Sequence, residues 1–283
     1  MSDAMKVGLV MGGGDLPAAV IEGCARAGHD IFIVRLDGYA DDIEQGLDSE
    51  IIGLAKFGTM IKRFRAKNCT HICFAGDVKR PDFKTLKPDF GGWRKLPGAL
   101  SAARQGDDAL LSYILEMFEA AGFEIIAPQT LSAHILMPDG HLGRMKMSPD
   151  MRADAEKACR IAKDMGALDI GQGAVVCAGL TLAVEAAEGT DMMLERIAHL
   201  PEAIRGTEAS RRGVLAKMVK PGQETRVDLP TIGLKTVELA ARAGLAGIVT
   251  EGGRSFLLDR EAVIKAADAA GIFIAGLPSG DSL

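Results

Sequence analysis

The chain has 283 residues, 48% of them hydrophobic and 25% charged, with a net charge of −5. That is length and apolar material for two domains, and it excludes a compositionally disordered chain. The acidic balance argues against a reader of the nucleic-acid backbone, which carries a basic excess, so no nucleic-acid partner is expected.

The N-terminus runs straight into an apolar stretch, Met5 to Met11, with no basic region ahead of a long apolar one. This is the first predicted strand. Gly12-Gly13-Gly14 follows, then a helix from Pro17 to Ala27 stopped by Gly28, and a strand at Ile31–Val34. Thr59–Lys67 is helical in pattern and His71–Ala75 is strand-like. From Asp107 to Ala121 the apolar residues Leu110, Leu111, Ile114, Leu115 and Phe118 recur at helical spacing. Gly122 ends that helix before a strand at Phe123–Ala127. This rhythm predicts a parallel sheet with crossover helices, a Rossmann-like domain over residues 1–132.

Pro128, Pro138, Gly140, Gly143 and Pro149 then break the rhythm, and residues 133–150 read as a linker. A second α/β domain is expected over 151–283. It opens with a helix at Met151–Met165, followed by the apolar run Gly173–Val184, which a turn at Gly179–Leu180 divides into two strands. Val214–Val219 is strand-like. Leu234–Ala243, stopped by Gly244, is a helix. Strands at Gly247–Thr250 and Phe256–Leu258, a helix at Glu261–Ala270 and a strand at Ile272–Ala275 complete the unit. No apolar run approaches the ~20 residues that span a bilayer, so the chain is expected to be cytoplasmic. The five scattered cysteines form no CxxC pair and read as small core residues in a reducing compartment.

Three loops carry chemistry in the first half. Gly12, Gly13 and Gly14 stand between a strand and a helix, where glycine allows a sharp turn and close approach of backbone to phosphate. Pro17 suits the first helical turn but stands where a dinucleotide fingerprint has its third glycine. Asp37 lies where a ribose-binding acid would, though Asp37-Gly38 is also an ordinary turn. The loop Gly76-Asp77-Val78-Lys79-Arg80 leaves a strand with an acid and two bases. Gly106-Asp107-Asp108 opens a helix, where acids commonly complement the dipole.

In the second half, Gly171-Gln172-Gly173 suggests a tight loop with an exposed amide. Glu185 to Asp191 has the acid and hydroxyl content of a site, and Thr190 or Asp191 could equally cap the next helix. The most informative stretch runs from Lys217 to Gly233. Lys217 and Lys220 can neutralise phosphate oxygens, and Arg226 can grip one bidentately. Gln223 lies between them. Asp228 can hold a hard divalent cation or orient water, since magnesium needs only one or two carboxylates beside water and substrate phosphate.

The stretches MGGGDLP, FAGDVKRPDF from Phe74, GDDALL from Gly106, LDIGQGAVV from Leu168, EAAEGTDMML from Glu185 and KPGQETRVDLPTIG from Lys220 span nearly the whole chain in order. They resemble the two-domain UDP-2,3-diacylglucosamine pyrophosphatases of bacterial lipid A biosynthesis, the LpxI family. The resemblance implies hydrolysis of the pyrophosphate to UMP and 2,3-diacylglucosamine 1-phosphate in a Gram-negative cell. It also implies a divalent metal, Mg2+ or Mn2+, and a Rossmann-like N-terminal domain. The C-terminal domain would be catalytic and lipid-binding, with contact at the inner membrane periphery and assembly as a homodimer. Asp228 would be the essential acid and the metal ligand, with Lys220, Gln223, Arg226 and Thr190 as further catalytic candidates. Gly12, Gly13, Gly14, Asp77, Asp107, Asp108, Gln172, Gly173 and Lys217 are the substrate-binding candidates. Acyl chains are expected against Leu136, Met137, Leu142, Met145, Met147, Met192 and Met193 in the C-terminal half.

Two other readings compete. A nicotinamide-dependent oxidoreductase would rest on Gly12, Gly14 and Asp37, but Pro17 opposes it and the Gln223–Asp228 cluster is left without a role. A non-catalytic nucleotide- or lipid-binding module is the other, and turnover with metal separates it from an enzyme.

Overall fold

The computed structural model describes residues 4–278 apart from 80 and 84. The chain forms two compact units. One comprises residues 4–134 together with Glu224–Asp228, the other Ile135–Gln223 with residues 229–278.

The first unit runs β1 (Lys6–Met11), α1 (Leu16–Ala27), β2 (Asp30–Leu36), β3 (Ser49–Ile52), α2 (Phe57–Ala66), β4 (His71–Ala75), α3 (Phe90–Ala103), α4 (Asp107–Glu119), β5 (Glu124–Ile125) and α5 (Pro128–Leu131). The sheet is wholly parallel, in the order β3-β2-β1-β4-β5. Strand periodicity sends Val7, Leu9 and Met11 to one face, where they join Val20 and Cys24 of α1. Val10 faces the other way, into a core built on Phe64 of α2 and Leu115 and Phe118 of α4. Gly8 also lies on that side. A Cβ there would stand 2.5 Å from the Phe64 ring, so the glycine lets an aromatic ring lie against the strand. Phe64 in turn meets Phe32 and Phe118 edge-on, with ring centroids 5.9 and 6.3 Å apart.

Helix α3 was not evident from periodicity, because Gly91, Gly92, Pro97 and Gly98 dilute its pattern. Asp89 holds its start. The carboxylate accepts the Gly92 N–H at 2.7 Å and also the N–H groups of Gly58 and Thr59 in the first turn of α2. One side chain thus caps two helices. Burial opposes its charge, but those donated hydrogen bonds outweigh it and hold the carboxyl below its ordinary range.

The second unit runs β6 (Gly140–Leu142), α6 (Pro149–Ala167), β7 (Gly173–Cys177), β8 (Leu180–Val184), α7 (Gly189–Ala198), β9 (Val214–Lys217), β10 (Thr231–Ile232), α8 (Leu234–Arg242), β11 (Gly247–Glu251), β12 (Phe256–Leu257), α9 (Arg260–Ala270) and β13 (Phe273–Leu277). Its main sheet has the order β6-β13-β11-β9-β7-β8. Strands β9, β11 and β13 are parallel, and the edges are closed by antiparallel partners. Strand β6 lies within residues 133–150, the segment read as a linker. A three-residue edge strand has no period to detect. Ala178 and Gly179, at φ 49° and 77°, make the tight turn between β7 and β8. Both turn amides donate to the Asp154 carboxylate, at 2.8 and 2.7 Å.

Candidate active site

In the first unit the chain leaves β1 toward β2 and β3, then returns to place β4 on the other side. The strand order therefore reverses between β1 and β4, and the loops beyond their carboxyl ends flank the crevice where open parallel sheets take ligands. Those loops are Gly12–Gly14 and Gly76–Asp77. They are bonded to each other. Gly12 N–H donates to the Ala75 carbonyl at 2.9 Å, Gly13 N–H to the Asp77 carbonyl at 3.0 Å, and Asp77 N–H to the Gly13 carbonyl at 2.8 Å. A Cβ on Gly12 would stand 2.6 Å from the Asp77 carbonyl oxygen, and one on Gly76 2.6 Å from that of Gly13. Gly12 is thus required for contact between the two loops. Gly14 is required by its conformation, φ +81°. Its N–H donates to Asp41 Oδ2 at 2.7 Å, a carboxylate already in the place an anionic ligand would take. Asp15 at the N-cap of α1 makes no side-chain capping bond and Pro17 occupies the first turn, leaving a helix start suited to phosphate. Asp37 lies in the turn after β2, with Tyr39 N–H bonded to the Leu36 carbonyl and Gly38 at φ +78°. Asp107 and Asp108 are in the first turn of α4 and complement its dipole. Arg80, from the same loop as Asp77, lies outside the described residues.

The 217–228 stretch is divided between the units. Glu224–Asp228 belongs to the first. Arg226 anchors it. Its guanidinium donates to Glu224 at 2.9 and 2.7 Å and to Glu119, at the end of α4, at 2.6 Å. Val227 packs on the core under α2 and α4, and the Thr225 carbonyl accepts from the Gln129 side chain at 3.3 Å. The hydrogen bonds from Arg226 hold the Glu224 carboxyl below its usual range. Arg226 is therefore committed to two carboxylates, and the bidentate grip on phosphate expected of it is spent on Glu224. Asp228 follows half-buried, its N–H closing a turn onto the Glu224 carbonyl at 3.1 Å.

Lys217, Lys220 and Gln223 stay with the second unit. The Gln223 side chain accepts the Lys220 N–H at 2.9 Å while its own N–H returns to the Lys220 carbonyl at 3.1 Å, so it shapes the Pro221-Gly222 turn. The Lys220 ammonium pairs with Asp169 at 2.7 Å. Lys217 ends β9 with only 7% of its surface exposed and donates to the Thr231 carbonyl at 3.1 Å. Gly173 sits beside Lys217 in register, and on its other side the Glu185 N–H donates to the Gly173 carbonyl at 2.8 Å. One level of the sheet thus reads Glu185, Gly173, Lys217. A Cβ on Gly173 would fall 2.6 Å from Glu185 Oε2, so the glycine makes room for a buried carboxylate. Thr190 donates to Glu185 Oε1 at 2.9 Å. It positions that acid, while Glu188 is the N-cap of α7. Glu185 Oε2 and Gln172 Oε1 are buried with no hydrogen-bond partner among the described residues. The Gln172 amide oxygen is therefore buried where an exposed one was expected.

Asp41 and Asp169 are polar groups that sequence reasoning did not single out, and Glu185 entered it only as the start of the Glu185–Asp191 stretch, without a role of its own. Their partners lie 27, 51 and 5 residues away, and for the first two no local pattern marks the pair. The five cysteines are buried, and burial pushes the Cys24 and Cys69 thiols up to about 11, which opposes thiolate chemistry. No group of three His, Cys, Asp or Glu side chains gathers as a cation cage among the described residues. A single carboxylate, such as that of Asp228, fits the one mode of Mg2+ binding that needs no cage, in which substrate phosphate and water complete the shell. Of the methionines and leucines expected to line a lipid cavity in the second unit, Met137 and Met193 are packed in its core, and Leu142 and Met147 pack against core clusters.

Residues 6–135 match the LpxI N-terminal domain and residues 138–275 the LpxI C-terminal domain. The UDP-2,3-diacylglucosamine pyrophosphatase LpxI of Caulobacter vibrioides is 52% identical over 272 residues, covering 96% of this chain and 97% of its own length. Among solved structures, a CobK precorrin-6A reductase aligns over 99% of this chain and 90% of its own at 11% identity and a TM-score of 0.32. A Thermus thermophilus UDP-glucose 4-epimerase in complex with NAD aligns over 97% and 86% at 14% identity and a TM-score of 0.32. At those scores neither likeness bears on the assignment of function.

Proposed function

The chain belongs to the LpxI family, and on that premise we propose that it hydrolyses the pyrophosphate of UDP-2,3-diacylglucosamine to UMP and 2,3-diacylglucosamine 1-phosphate, with a divalent cation held at Asp228. The observation that carries the reading is the near-full-length match to a UDP-2,3-diacylglucosamine pyrophosphatase, which runs through both units.

Each unit brings a recognisable part of the chemistry. On the first, the Gly14 N–H, bonded here to the Asp41 carboxylate, and the start of α1 are the backbone donors suited to a phosphate. The Arg226 ion pairs fix the segment that carries Asp228. On the second, Lys217 and Lys220 supply positive charge for phosphate oxygens, and Thr190 holds the buried Glu185 in place. Mg2+, or Mn2+ in its stead, would when bound supply Lewis-acid neutralisation of the pyrophosphate. Water is then the nucleophile, and no covalent enzyme intermediate is needed. Treatment with EDTA is expected to abolish turnover and added Mg2+ to restore it; full turnover in EDTA removes the cation from the account.

The reading includes a cytoplasmic chain that meets the inner membrane peripherally and pairs as a homodimer. The acyl chains of the substrate support the membrane contact. No helix among the described residues is long and apolar enough to cross a membrane.

Gly14→Val tests the phosphate cradle. A β-branched residue at φ +81° is strained and displaces the backbone, so UMP affinity by calorimetry is expected to fall about tenfold, the scale of one lost hydrogen bond to a charged group. Asp41→Ala is expected to act the opposite way, tightening UMP several-fold by removing the carboxylate that competes for the Gly14 N–H. Unchanged affinity in both would place the nucleotide phosphate elsewhere.

A further inference from the structure

Helix α3 carries an outward face that the fold does not use. Gly92, Ala99, Ala102 and Ala103 turn inward and are buried. Phe90, Trp93 and Pro97, spaced three and four residues apart, share the opposite side and are exposed. Phe90 is 80% exposed and Trp93 64%, and they are the two exposed large aromatic side chains among the described residues. A helix packed on its own domain turns polar residues outward, and here the outward face begins with two aromatic rings. Its other members are basic. Arg94 and Arg104 lie on the same side at helical spacing, and Lys87 stands just before the first turn. All three are exposed and form no ion pair among the described residues. Asp89, the acid between Lys87 and Arg94, is spent on the caps of α2 and α3. Positive charge therefore gathers on this face of a chain whose net charge is −5.

We infer that this face of α3 docks on an anionic bilayer surface, with the Phe90 and Trp93 rings at headgroup depth and Lys87, Arg94 and Arg104 against lipid phosphates. The inference rests on the peripheral membrane contact of the proposed function and names the element that makes it. The side chains select the occupant. Tryptophan and phenylalanine beside lysine and arginine are the composition of a helix that lies in the plane of a membrane interface. The long basic side chains can follow the phosphates while their methylene stems rest on apolar surface. A second copy of the chain fits less well. In a twofold contact the patch meets itself, which sets Lys87, Arg94 and Arg104 of one copy against the same cations of the other. An anionic surface covers the rings and pairs the charges together.

The test uses the full chain and vesicles that contain no substrate, so its outcome does not depend on hydrolysis. Trp93 is the single tryptophan of the chain, and its emission reports on this face directly, without a variant. Titration with vesicles of phosphatidylglycerol and phosphatidylcholine in equal parts is expected to shift the emission to the blue and to expose it to quenching by lipids brominated near the headgroup. Pure phosphatidylcholine vesicles are expected to leave the emission in place, and salt at about 1 M, where charges are screened beyond ~3 Å, is expected to weaken the shift. Lys87→Ala and Arg94→Ala are each expected to weaken partition about fivefold, the effect of one basic residue at an anionic surface. Phe90→Asp is expected to abolish cosedimentation with the anionic vesicles and to keep the wild-type kcat on detergent-dispersed substrate. Emission unchanged by anionic vesicles overturns the inference, and so does an equal shift on neutral vesicles that the alanine variants do not alter. Blue emission in vesicle-free protein that is lost on dilution, with a dimer in sedimentation, would assign the face to a second copy instead. A chain that docks through Trp93 but leaves UDP-2,3-diacylglucosamine intact would refute the proposed reaction and leave the docking face standing.

Discussion

Asp228→Asn is expected to lower the rate of pyrophosphate hydrolysis by at least about 100-fold, the scale on which loss of one charge-stabilising group reduces kcat. The fold should survive. Asparagine keeps the size of the side chain, and the segment is anchored by groups other than this carboxylate. Arg226 ties it to Glu224 and Glu119, Val227 packs on the core, and the Asp228 N–H closes onto the Glu224 carbonyl. What asparagine removes is the negative charge that a hard cation or a hydrogen-bonded water requires. Steady-state kinetics with a denaturation midpoint decides it. Turnover near the wild-type rate in a stable variant would take Asp228 out of the mechanism.

Lys217→Met is expected to have the second large effect. Lys217 is nearly inaccessible, and its ammonium donates to a backbone carbonyl, that of Thr231. Removing an ammonium from water is costly unless a partner compensates, and one neutral carbonyl compensates poorly. A charge kept in such a place points to a use, and neutralising phosphate is the use that suits it. Methionine has a similar length and no charge. Hydrolysis is expected to fall about 100-fold or more, while the denaturant midpoint holds or rises. A lowered midpoint with unchanged kcat would make Lys217 a structural residue that fixes β10 through Thr231.

Much of the architecture was legible because local rules govern it. The apolar run from Met5 to Met11, ended by three glycines, marked β1, and Gly28 marked the end of α1, where it adopts φ +72°. The apolar run from Gly173 split at a glycine turn, one residue earlier than expected. Legibility failed where tertiary contact overrides local preference. Strands β3 and β6 are four and three residues long and exist because a neighbouring strand offers hydrogen bonds. Helix α3 tolerates three glycines and a proline because Gly91 must approach Gly58, where a Cβ would stand 2.8 Å from the facing Cα.

The candidate site was legible in residue type more than in arrangement. Lys220, Gln223, Arg226 and Asp228 read as one cluster, yet Gln223 shapes its own turn, and the ion pair that fixes Arg226 joins residues 107 positions apart. Likewise, Leu110, Leu111, Ile114, Leu115 and Phe118 read alike as apolar residues at helical spacing, yet only Leu115 and Phe118 are fully buried. Periodicity shows that a face is apolar, and only packing shows whether protein or something else covers it.

The central claim is pyrophosphate hydrolysis, and the most direct measurement is incubation of the purified chain with UDP-2,3-diacylglucosamine and Mg2+, followed by identification of the products by mass spectrometry. Equimolar UMP and 2,3-diacylglucosamine 1-phosphate are expected, formed in proportion to enzyme and absent with Asp228→Asn. Intact substrate after prolonged incubation with folded protein, or any product other than this pair, would contradict the account.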